Sequence, residues 1–185
     1  MSLAVVRTVE QAREAAVAHL AKVEPNQAPV VVVDSITEEF GVGWVFYYQS
    51  ARYMVTKDPR DGLVGNAPIF VPRNGAPPDF ISYHRPTSES VEAFVYCGVA
   101  NAAPNPEVEL VGWKEGALKV SATQAIRECS SLGLAAAKEV VDGCLSGIHA
   151  RVQTTSVATA RELAAVLTGL QFIARITYRR TVRTA

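Results

Sequence analysis

One aromatic stretch, from Phe40 to Val71, limits the fold of this chain more than any other part of the sequence. It holds one of the two tryptophans and three of the six tyrosines, and a Gly-Asn-Ala-Pro turn stands near its end. Because side chains alternate between the two faces of a strand, Trp44, Phe46 and Tyr48 share one face, and the two residues between them share the other. The stretch predicts three short strands of one antiparallel sheet.

Turn and loop residues divide this stretch into its three predicted strands. Gln49–Ala51 predicts a turn after the first strand, Tyr53–Thr56 the second strand, and Asp58–Gly62 a loop with typical turn residues. Leu63–Val71 predicts the third strand. We expect a bulge or a sharp bend at Gly65-Asn66, because both residues tolerate a positive φ.

Signals on either side of the stretch complete a first domain. Thr8 and Gln11 fit a capping box, and apolar residues at helical spacing then predict a helix over residues 8–22, ended by Pro25. The other predicted elements are a buried strand at Val30–Val33, a polar connection with Ile36 turned inward, a hairpin turn at Asn74-Gly75, a strand at Phe80–Tyr83 and a helix capped by Thr87 or Ser88. The order of helix, about five strands and helix predicts an α+β domain whose sheet is covered on one face.

A second domain follows a linker. Residues 98–106 contain Ala, Asn, Pro and Gly without any charge, which predicts a semi-stiff linker. The elements predicted after it are a strand at 107–111, a helix from Lys119 with Val120, Thr123, Ile126 and Cys129 on one face, a helix at 134–141 stopped by Asp142-Gly143, a strand at 148–152, a helix capped by Thr155 or Ser156, and a strand at 171–177. This βααβαβ order predicts a second small α+β domain, and residues 179–185 form a basic tail.

Charge and cysteine content exclude several classes of protein. The formal net charge is +0, so no strong field attracts the chain to nucleic acid or to a membrane surface. Residues 1–100 carry 8 Lys/Arg and 11 Asp/Glu, whereas residues 101–185 carry 10 and 7, which favours two units. Three cysteines without CxxC spacing are not a disulfide framework. The chain shows no signal peptide and no apolar run of roughly 18 residues, so we expect a cytoplasmic location.

The residues give no sign of a catalytic, metal or cofactor site. His19, His84 and His149 are isolated and lack the spacing of metal ligands. Nothing places Cys97 within hydrogen-bond reach of His84, as nucleophilic catalysis would require. Gly41-Val42-Gly43 precedes a strand and opens no helix, so it is not a phosphate loop. We therefore expect a binding protein without enzyme activity, metal or cofactor.

The aromatic stretch also carries a resemblance to a known family. The matching residues are Gly43-Trp44-Val45-Phe46-Tyr47-Tyr48-Gln49-Ser50, Tyr53, Gly65-Asn66-Ala67-Pro68-Ile69-Phe70-Val71 and Arg73. Over about residues 3–97 the chain resembles the immunity protein 35 family of bacterial polymorphic-toxin systems. The resemblance implies inhibition of a toxin by direct binding. A small heat-stable chaperone also belongs to this family, so holding non-native proteins is a second expectation.

Three groups of residues are candidates for contact with such a partner. The first group consists of five acidic residues, Asp34, Glu38, Glu39, Asp58 and Asp61. Their side chains either mimic the phosphates that a nuclease toxin binds or are ordinary solvated loop charges. Two tyrosines, Tyr47 and Tyr53, are aromatic candidates, whereas Trp44, Phe46 and Tyr48 form either an exposed anchor or simply the core. The third group is basic and is expected either to contact RNA or an acidic partner or to be a solvated terminus. It consists of Arg175, Arg179, Arg180 and Arg183.

The second domain carries a resemblance of its own. Over about residues 107–176 the chain resembles the C-terminal domain of the bacterial large-subunit ribosomal stalk protein. The matching residues are Lys119, Val120, Ala125, Ile126, Arg127, Leu132, Gly133, Leu134, Ala137, Lys138, Val140 and Val141. The resemblance implies a surface that recruits translational GTPases, formed here by Lys119, Val120, Thr123, Arg127 and Lys138.

These interpretations define a two-domain α+β protein that works by binding. The domains are residues 1–97 and 107–178, with a linker at 98–106 and the tail at 179–185. The main hypothesis is a cytoplasmic immunity protein whose first domain occludes a cognate toxin, with the second domain as an accessory docking or oligomerising piece. The alternatives are an adaptor that binds a translational GTPase and a chaperone-like holdase. The sequence also leaves a homodimer open, because a free sheet edge is easily buried against a copy.

Overall fold

The computed structural model describes residues 7–23 and 29–179. The chain divides into two compact units, unit 1 (Met1–Asn101) and unit 2 (Ala102–Ala185). Both units combine helices with antiparallel sheets, which confirms the predicted α+β class. Two predictions fall outside the described residues. They are the helix stop at Pro25 and the part of the basic tail that contains Arg180 and Arg183.

Unit 1 contains three helices and six strands among its described residues. The helices are α1 Val9–Val23, α2 Ala51–Thr56 and α3 Thr87–Cys97, and 3₁₀ turns occupy Asp34–Ile36 and Pro59–Asp61. The strands are β1 Val30–Val32, β2 Glu38–Phe40, β3 Gly43–Phe46, β4 Tyr48–Ser50, β5 Ile69–Pro72 and β6 Asp79–Phe80. Four of them form an antiparallel sheet in the order β2-β3-β5-β6, and β1 pairs with β4 in a separate two-stranded sheet.

The four-stranded sheet is covered on both faces, so the prediction of one covered face was wrong. Trp44 and Phe46 belong to a buried cluster with Ala12, Ala16 and Leu20 of α1. Val45, between them in β3, belongs to a second cluster with α3 residues. Alternation along β3 therefore sends apolar side chains to two layers, which is why all four residues of this strand are buried.

The predicted single sheet over residues 40–71 is also wrong, because the chain leaves the sheet after β3. Gln49 and Ser50, expected to lie in a turn, instead form β4 with Tyr48 and pair with β1. Tyr53–Thr56, expected to be a strand, lies in α2. The Ser50 hydroxyl accepts a hydrogen bond from the Tyr53 amide at 2.9 Å and so caps this helix. A side-chain cap thus overrides the strand preference of the tyrosine and valine in this helix.

The structure confirms some of the smaller predictions for unit 1 and corrects others. The capping box is confirmed, since the Thr8 amide donates to Gln11 Oε1 at 3.0 Å and the Gln11 amide to Thr8 Oγ1 at 3.3 Å. The turn at Asn74-Gly75 is confirmed, with Gly75 at a φ of 83°. Four predictions were wrong. Val31 and Ile36, both expected to be buried, are exposed. Strand β6 has only two residues, and the cap of α3 is Pro86 and not Thr87 or Ser88.

Unit 2 has three strands and three helices among its described residues. Its elements are β7 Pro104–Trp113, α4 Lys119–Cys129, α5 Leu134–Leu145, β8 Ala150–Gln153, α6 Val157–Gly169 and β9 Phe172–Tyr178. The antiparallel sheet has the order β8-β7-β9. Val108 and Leu110 of β7 are buried together with Ile126, Val141 and Leu163 from the three helices. The predicted cap of α6 is confirmed for Ser156, whose hydroxyl accepts from the Thr159 amide at 3.1 Å.

Three expectations for unit 2 are corrected. Residues 104–106, predicted as linker, are part of strand β7. A proline has no amide hydrogen to donate, but the Pro106 carbonyl still accepts a hydrogen bond from the Thr154 amide at 2.8 Å. Val120, predicted to share one face of α4 with Thr123 and Ile126, is 81% exposed, whereas those two residues are buried. Helix α5 passes through Asp142-Gly143, because buried Cys144 continues its apolar face and a helical glycine costs only about 1 kcal/mol.

Glu109 makes the stability of unit 2 dependent on pH. It alternates with buried Val108 and Leu110, and its two oxygens accept from Arg151 Nη2 at 3.2 Å and Arg175 Nη2 at 2.8 Å. Burial raises the pKa of this carboxyl, but the hydrogen bonds and charges of Arg175 and then Arg151 outweigh burial and lower the pKa below its usual 4.5. A depressed folded-state pKa gives stability that is present above the unfolded-state value and is lost as the pH falls through the folded-state value.

We therefore expect unit 2 to lose stability progressively below about pH 4.5. A Glu109→Gln variant should be less stable than the wild type at neutral pH and should lose less on acidification. Hydrogen exchange of the β7 amides in the full chain, measured at neutral and acidic pH, checks this. Glu115→Gln, in the exposed turn after β7, is the control. An unchanged pH dependence in Glu109→Gln would contradict the assignment.

Candidate functional site

Residues 51–66 form a compact protruding segment between β4 and β5, called here the 51–66 segment. It begins as α2, passes through Lys57 in the left-handed conformation (φ 55°), and continues into the 3₁₀ turn at Pro59–Asp61. Asp58 caps that turn by accepting from the Arg60 amide at 3.0 Å. The segment therefore has regular internal structure, although its sequence has the composition of a strand followed by a loop.

Side chains at the base of the segment fix both of its ends to β4. The Gln49 amide makes two bonds to Leu63, with Nε2 donating to the carbonyl at 3.1 Å and Oε1 accepting from the amide at 2.5 Å. The Ser50 hydroxyl donates to the Asp61 carbonyl, and Asn66 Nδ2 donates to the Tyr48 carbonyl at 2.8 Å. A segment held in this way has little conformational freedom left to lose on binding.

The interior of the segment is formed by Tyr53. A Cβ added at Gly62 would lie 3.4 Å from the Tyr53 ring, so the ring packs directly against that backbone. The Lys57 ammonium lies 5.7 Å from the ring centroid. Tyr53, predicted as a partner contact, is half-buried and serves first as the packing centre of the segment.

The outer surface of the segment carries two valines. Val55 is 85% exposed and Val64 is 93% exposed, more than any other large hydrophobic side chain in the described part of the chain. Two such side chains in one short, hydrogen-bonded segment make it a candidate contact site for another protein. Sequence reasoning missed both, because each valine was assigned to a strand in which alternate residues are buried.

The five acidic residues predicted to form one patch lie in three parts of unit 1, namely the 3₁₀ turn before β2, β2 itself and the 51–66 segment. Asp58 and Asp61 come together in the 51–66 segment, where they pair with arginines of the same segment. Asp34 accepts from Arg13 Nε at 2.8 Å in the 3₁₀ turn before β2. Each of these three carboxylates therefore has a cationic partner in its own unit, which offsets part of the negative charge predicted for the patch.

The other two predicted acidic residues, Glu38 and Glu39, are neighbours in β2 and so point to opposite faces of the sheet. Glu39 pairs with Arg73 at 2.7 Å, and the Arg73 guanidinium lies 4.0 Å from the ring centroid of Trp44. Trp44 is only 2% exposed. The alternative of an exposed aromatic anchor at Trp44, Phe46 and Tyr48 is thereby excluded, because all three are core residues.

Glu38 joins Tyr47 to the start of α3. It accepts from the Tyr47 hydroxyl and, at 2.9 Å, from the Thr87 hydroxyl. Burial, followed by the hydrogen bond and negative charge of Glu38, raises the pKa of Tyr47 to about 12. Tyr47 therefore stays protonated and donates this bond at all physiological pH values, and Glu38 thereby links β2 and the start of α3 to the residue that joins β3 to β4.

A pocket of about 250 Å³ lies between α1 and the 3₁₀ turn before β2, with Arg13, Asp34 and Thr37 on its polar side and Val9, Glu10 and Phe46 completing the lining. The Thr37 hydroxyl is buried and has no hydrogen-bond partner among the described residues. Sequence reasoning missed this pocket, since its lining comes from three separate stretches of the chain.

The described residues do not assemble a recognisable catalytic or metal site. They contain no cluster of three or more His, Cys, Asp or Glu side chains suited to a metal ion. His84 stacks on Tyr83 at 4.0 Å between centroids, and Cys97 Sγ lies 3.2 Å from the Ala93 carbonyl. Burial raises the pKa of the Cys129 and Cys144 thiols, which disfavours the thiolate that a cysteine nucleophile needs.

The residues predicted as a contact surface in unit 2 differ in exposure. Val120, Arg127 and Lys138 are exposed, and Lys119 forms an ion pair with Asp142. Thr123 is 6% exposed and donates its hydroxyl to the Lys119 carbonyl at 3.0 Å. Thr123 is thus part of the core of this unit and is not available to a partner.

The comparison with protein families gives the class of this chain. The family model described as Immunity protein 35 matches residues 10–108, more than half of the chain. The chain belongs to this family, which confirms the first predicted resemblance and supports an immunity-protein role.

The remaining comparisons add no further relative. No curated protein and no solved structure matches the chain significantly. The family match ends at residue 108, and the resemblance of residues 107–176 to the ribosomal stalk domain stays a prediction. None of the helices in the described ranges combines the length and the apolar character needed to cross a membrane.

Proposed function

We propose that the protein neutralises a cognate toxin by direct binding, and that the 51–66 segment is the contact surface. The observation that carries this proposal is the exposure of Val55 and Val64, at 85% and 93%, on a segment whose ends are hydrogen-bonded to β4. Membership of an immunity-protein family implies a toxin partner. The proposal also places the protein in the bacterial cytoplasm, as the antidote of a polymorphic-toxin system.

Physical arguments favour this segment over the rest of unit 1. Burying a valine side chain contributes about 1.5–3 kcal/mol, so two exposed valines can supply a large part of a binding free energy. Because the side chains of Gln49, Ser50 and Asn66 already fix the backbone, little of that energy is lost to ordering the segment.

Neutralisation by occlusion is the mechanism that these residues support. We propose that the protein covers a surface that the toxin needs, because membership of an immunity-protein family implies a toxin partner and the 51–66 segment offers exposed apolar side chains to it. We propose unit 2 as an accessory docking or oligomerising piece. The translation-adaptor and holdase hypotheses gain no support from the comparisons.

Co-expression tests the proposal. The full chain should restore growth of cells that express the toxin domain encoded beside its gene, and the purified pair should form a stoichiometric complex on size-exclusion chromatography. A toxin from an unrelated system serves as the control and should remain lethal. Failure of the full chain to bind the neighbouring toxin at micromolar concentration would contradict the proposed function.

A further inference from the structure

The charges of the 51–66 segment are arranged with the cations outward. The Arg52 side chain is 78% exposed, whereas Asp61, its ion-pair partner, is 16% exposed. In the second pair, the Arg60 side chain is 88% exposed and that of Asp58 is 33% exposed. The outer charge of the segment is therefore positive, although the sequence suggested an acidic surface here.

The carboxylates lie inward because the segment uses them for its own structure. Asp61 accepts from the Thr56 hydroxyl at 2.8 Å, and Asp58 accepts from both the amide and the guanidinium of Arg60. Arg60 uses Nε and Nη2 for this contact, and no described acceptor bonds to its Nη1. A guanidinium with a free edge can bind a second carboxylate.

Lys57 adds a third cation to the same surface. Its left-handed backbone ends α2, and its side chain is exposed. Its ammonium lies near the Tyr53 ring, and no carboxylate in the described ranges forms an ion pair with it. Lys57 is therefore a cation whose charge is available to a partner.

We infer that the 51–66 segment docks onto a protein surface with an acidic rim, whose apolar parts contact Val55 and Val64. The inference rests on the proposed function and specifies the toxin surface that is recognised. Complementary charge at the rim of an interface speeds association and rejects wrong partners. The two valines favour a protein over a nucleic acid, whose phosphate backbone gives them nothing apolar to contact.

The rest of unit 1 reinforces the orientation of such a partner. Outside the 51–66 segment, residues 1–100 contain five Lys/Arg and nine Asp/Glu. The outward cations of the 51–66 segment thus attract an acidic toxin surface, and the net negative charge of the rest of the unit repels it. This opposition selects one docking direction.

The test uses the full chain and the toxin that it binds. Association rates are measured at about 50 mM and about 300 mM NaCl, which changes the screening of exposed charges. For Lys57→Glu we expect an association rate about tenfold below that of the wild type at low salt, and a difference of about twofold at high salt. The control is Lys22→Glu, an exposed lysine in the last turn of α1, which should change the rate by less than about twofold.

The outcomes separate this inference from the proposed function. If the wild type binds the toxin and Lys57→Glu associates as fast or faster, the acidic partner surface is wrong while the immunity role stands. A complex that is lost on nuclease treatment would overturn the inference in favour of a nucleic-acid partner. Absence of any complex with the wild type would contradict the proposed function, and this inference with it.

Discussion

A Val55→Asp, Val64→Asp double variant is expected to bind the toxin at least about 100-fold more weakly than the wild type. The loss of two buried valines removes roughly 3 kcal/mol or more, and each new carboxylate faces the acidic rim inferred for the partner. Both side chains are almost fully exposed in the free protein, so the fold should be unaffected. Isothermal titration of the purified full chain with toxin measures the change, and circular dichroism verifies the fold.

Val95→Asp is the matched control for this variant. Val95 is 59% exposed and lies in helix α3 of the same unit, so the substitution adds one negative charge, against two in the double variant, to an exposed position away from the 51–66 segment. It should leave toxin affinity within about twofold. Equal losses in Val95→Asp and in the double variant would show that the contact surface has been placed incorrectly.

A Gly43→Ala substitution is expected to unfold unit 1 or to destabilise it by about 3 kcal/mol or more. A Cβ at this position would lie 2.4 Å from the Val71 carbonyl oxygen, 2.9 Å from Phe70 Cε2 and 3.0 Å from Pro72 Cα. Because two of these atoms belong to the backbone of the paired strand β5, no side-chain rotation can relieve the clash. In a Trp113→Phe background, the fluorescence of Trp44 reports thermal unfolding of unit 1 alone.

Gly41→Ala tests whether this cost comes from the close approach of the two strands. Gly41 lies two residues earlier, and a Cβ there would have no neighbour within 4 Å. We expect its unfolding temperature to stay within a few degrees of the wild type. A Gly43→Ala protein as stable as Gly41→Ala would contradict the packing described for β3 and β5.

The parts of the fold that were predicted correctly depend on local signals. Thr8 and Gln11 are three residues apart and satisfy each other's backbone groups, so their pattern could be interpreted without knowing the rest of the chain. The alternation of Trp44, Val45 and Phe46 likewise assigned each side chain to a face. That the second face is also covered depends on α3, more than forty residues later, and no local pattern contains that information.

The short helix α2 could not be predicted for a related reason. Tyr53 and Val55 have strand propensity, and the helix depends on Ser50, which caps it and also donates to the Asp61 carbonyl. That second bond closes a loop of 11 positions, and it exists only when the whole 51–66 segment is folded. Tertiary context therefore decided the secondary structure.

The sequence analysis included residues of the segment that we propose as the contact surface, but it suggested an acidic surface there. Asp58 and Asp61 were recognised as contact candidates, but a sequence does not show which member of an ion pair faces solvent. The same limit applies to Asp34 and Glu39, whose arginine partners are 21 and 34 positions away. The exposure of Val64 depends on Gln49, which holds Leu63 at the base of the segment.

The hydrogen bonds that hold the 51–66 segment to β4 make its outer surface free to evolve. Gln49, Ser50 and Asn66 all bond to main-chain atoms, those of Leu63, Asp61 and Tyr48. Main-chain atoms are present whatever side chain a position carries. Substitutions at exposed positions such as Val55, Lys57 or Val64 therefore leave these bonds in place. A lineage confronted with an altered toxin can change what the segment recognises while keeping the scaffold that presents it.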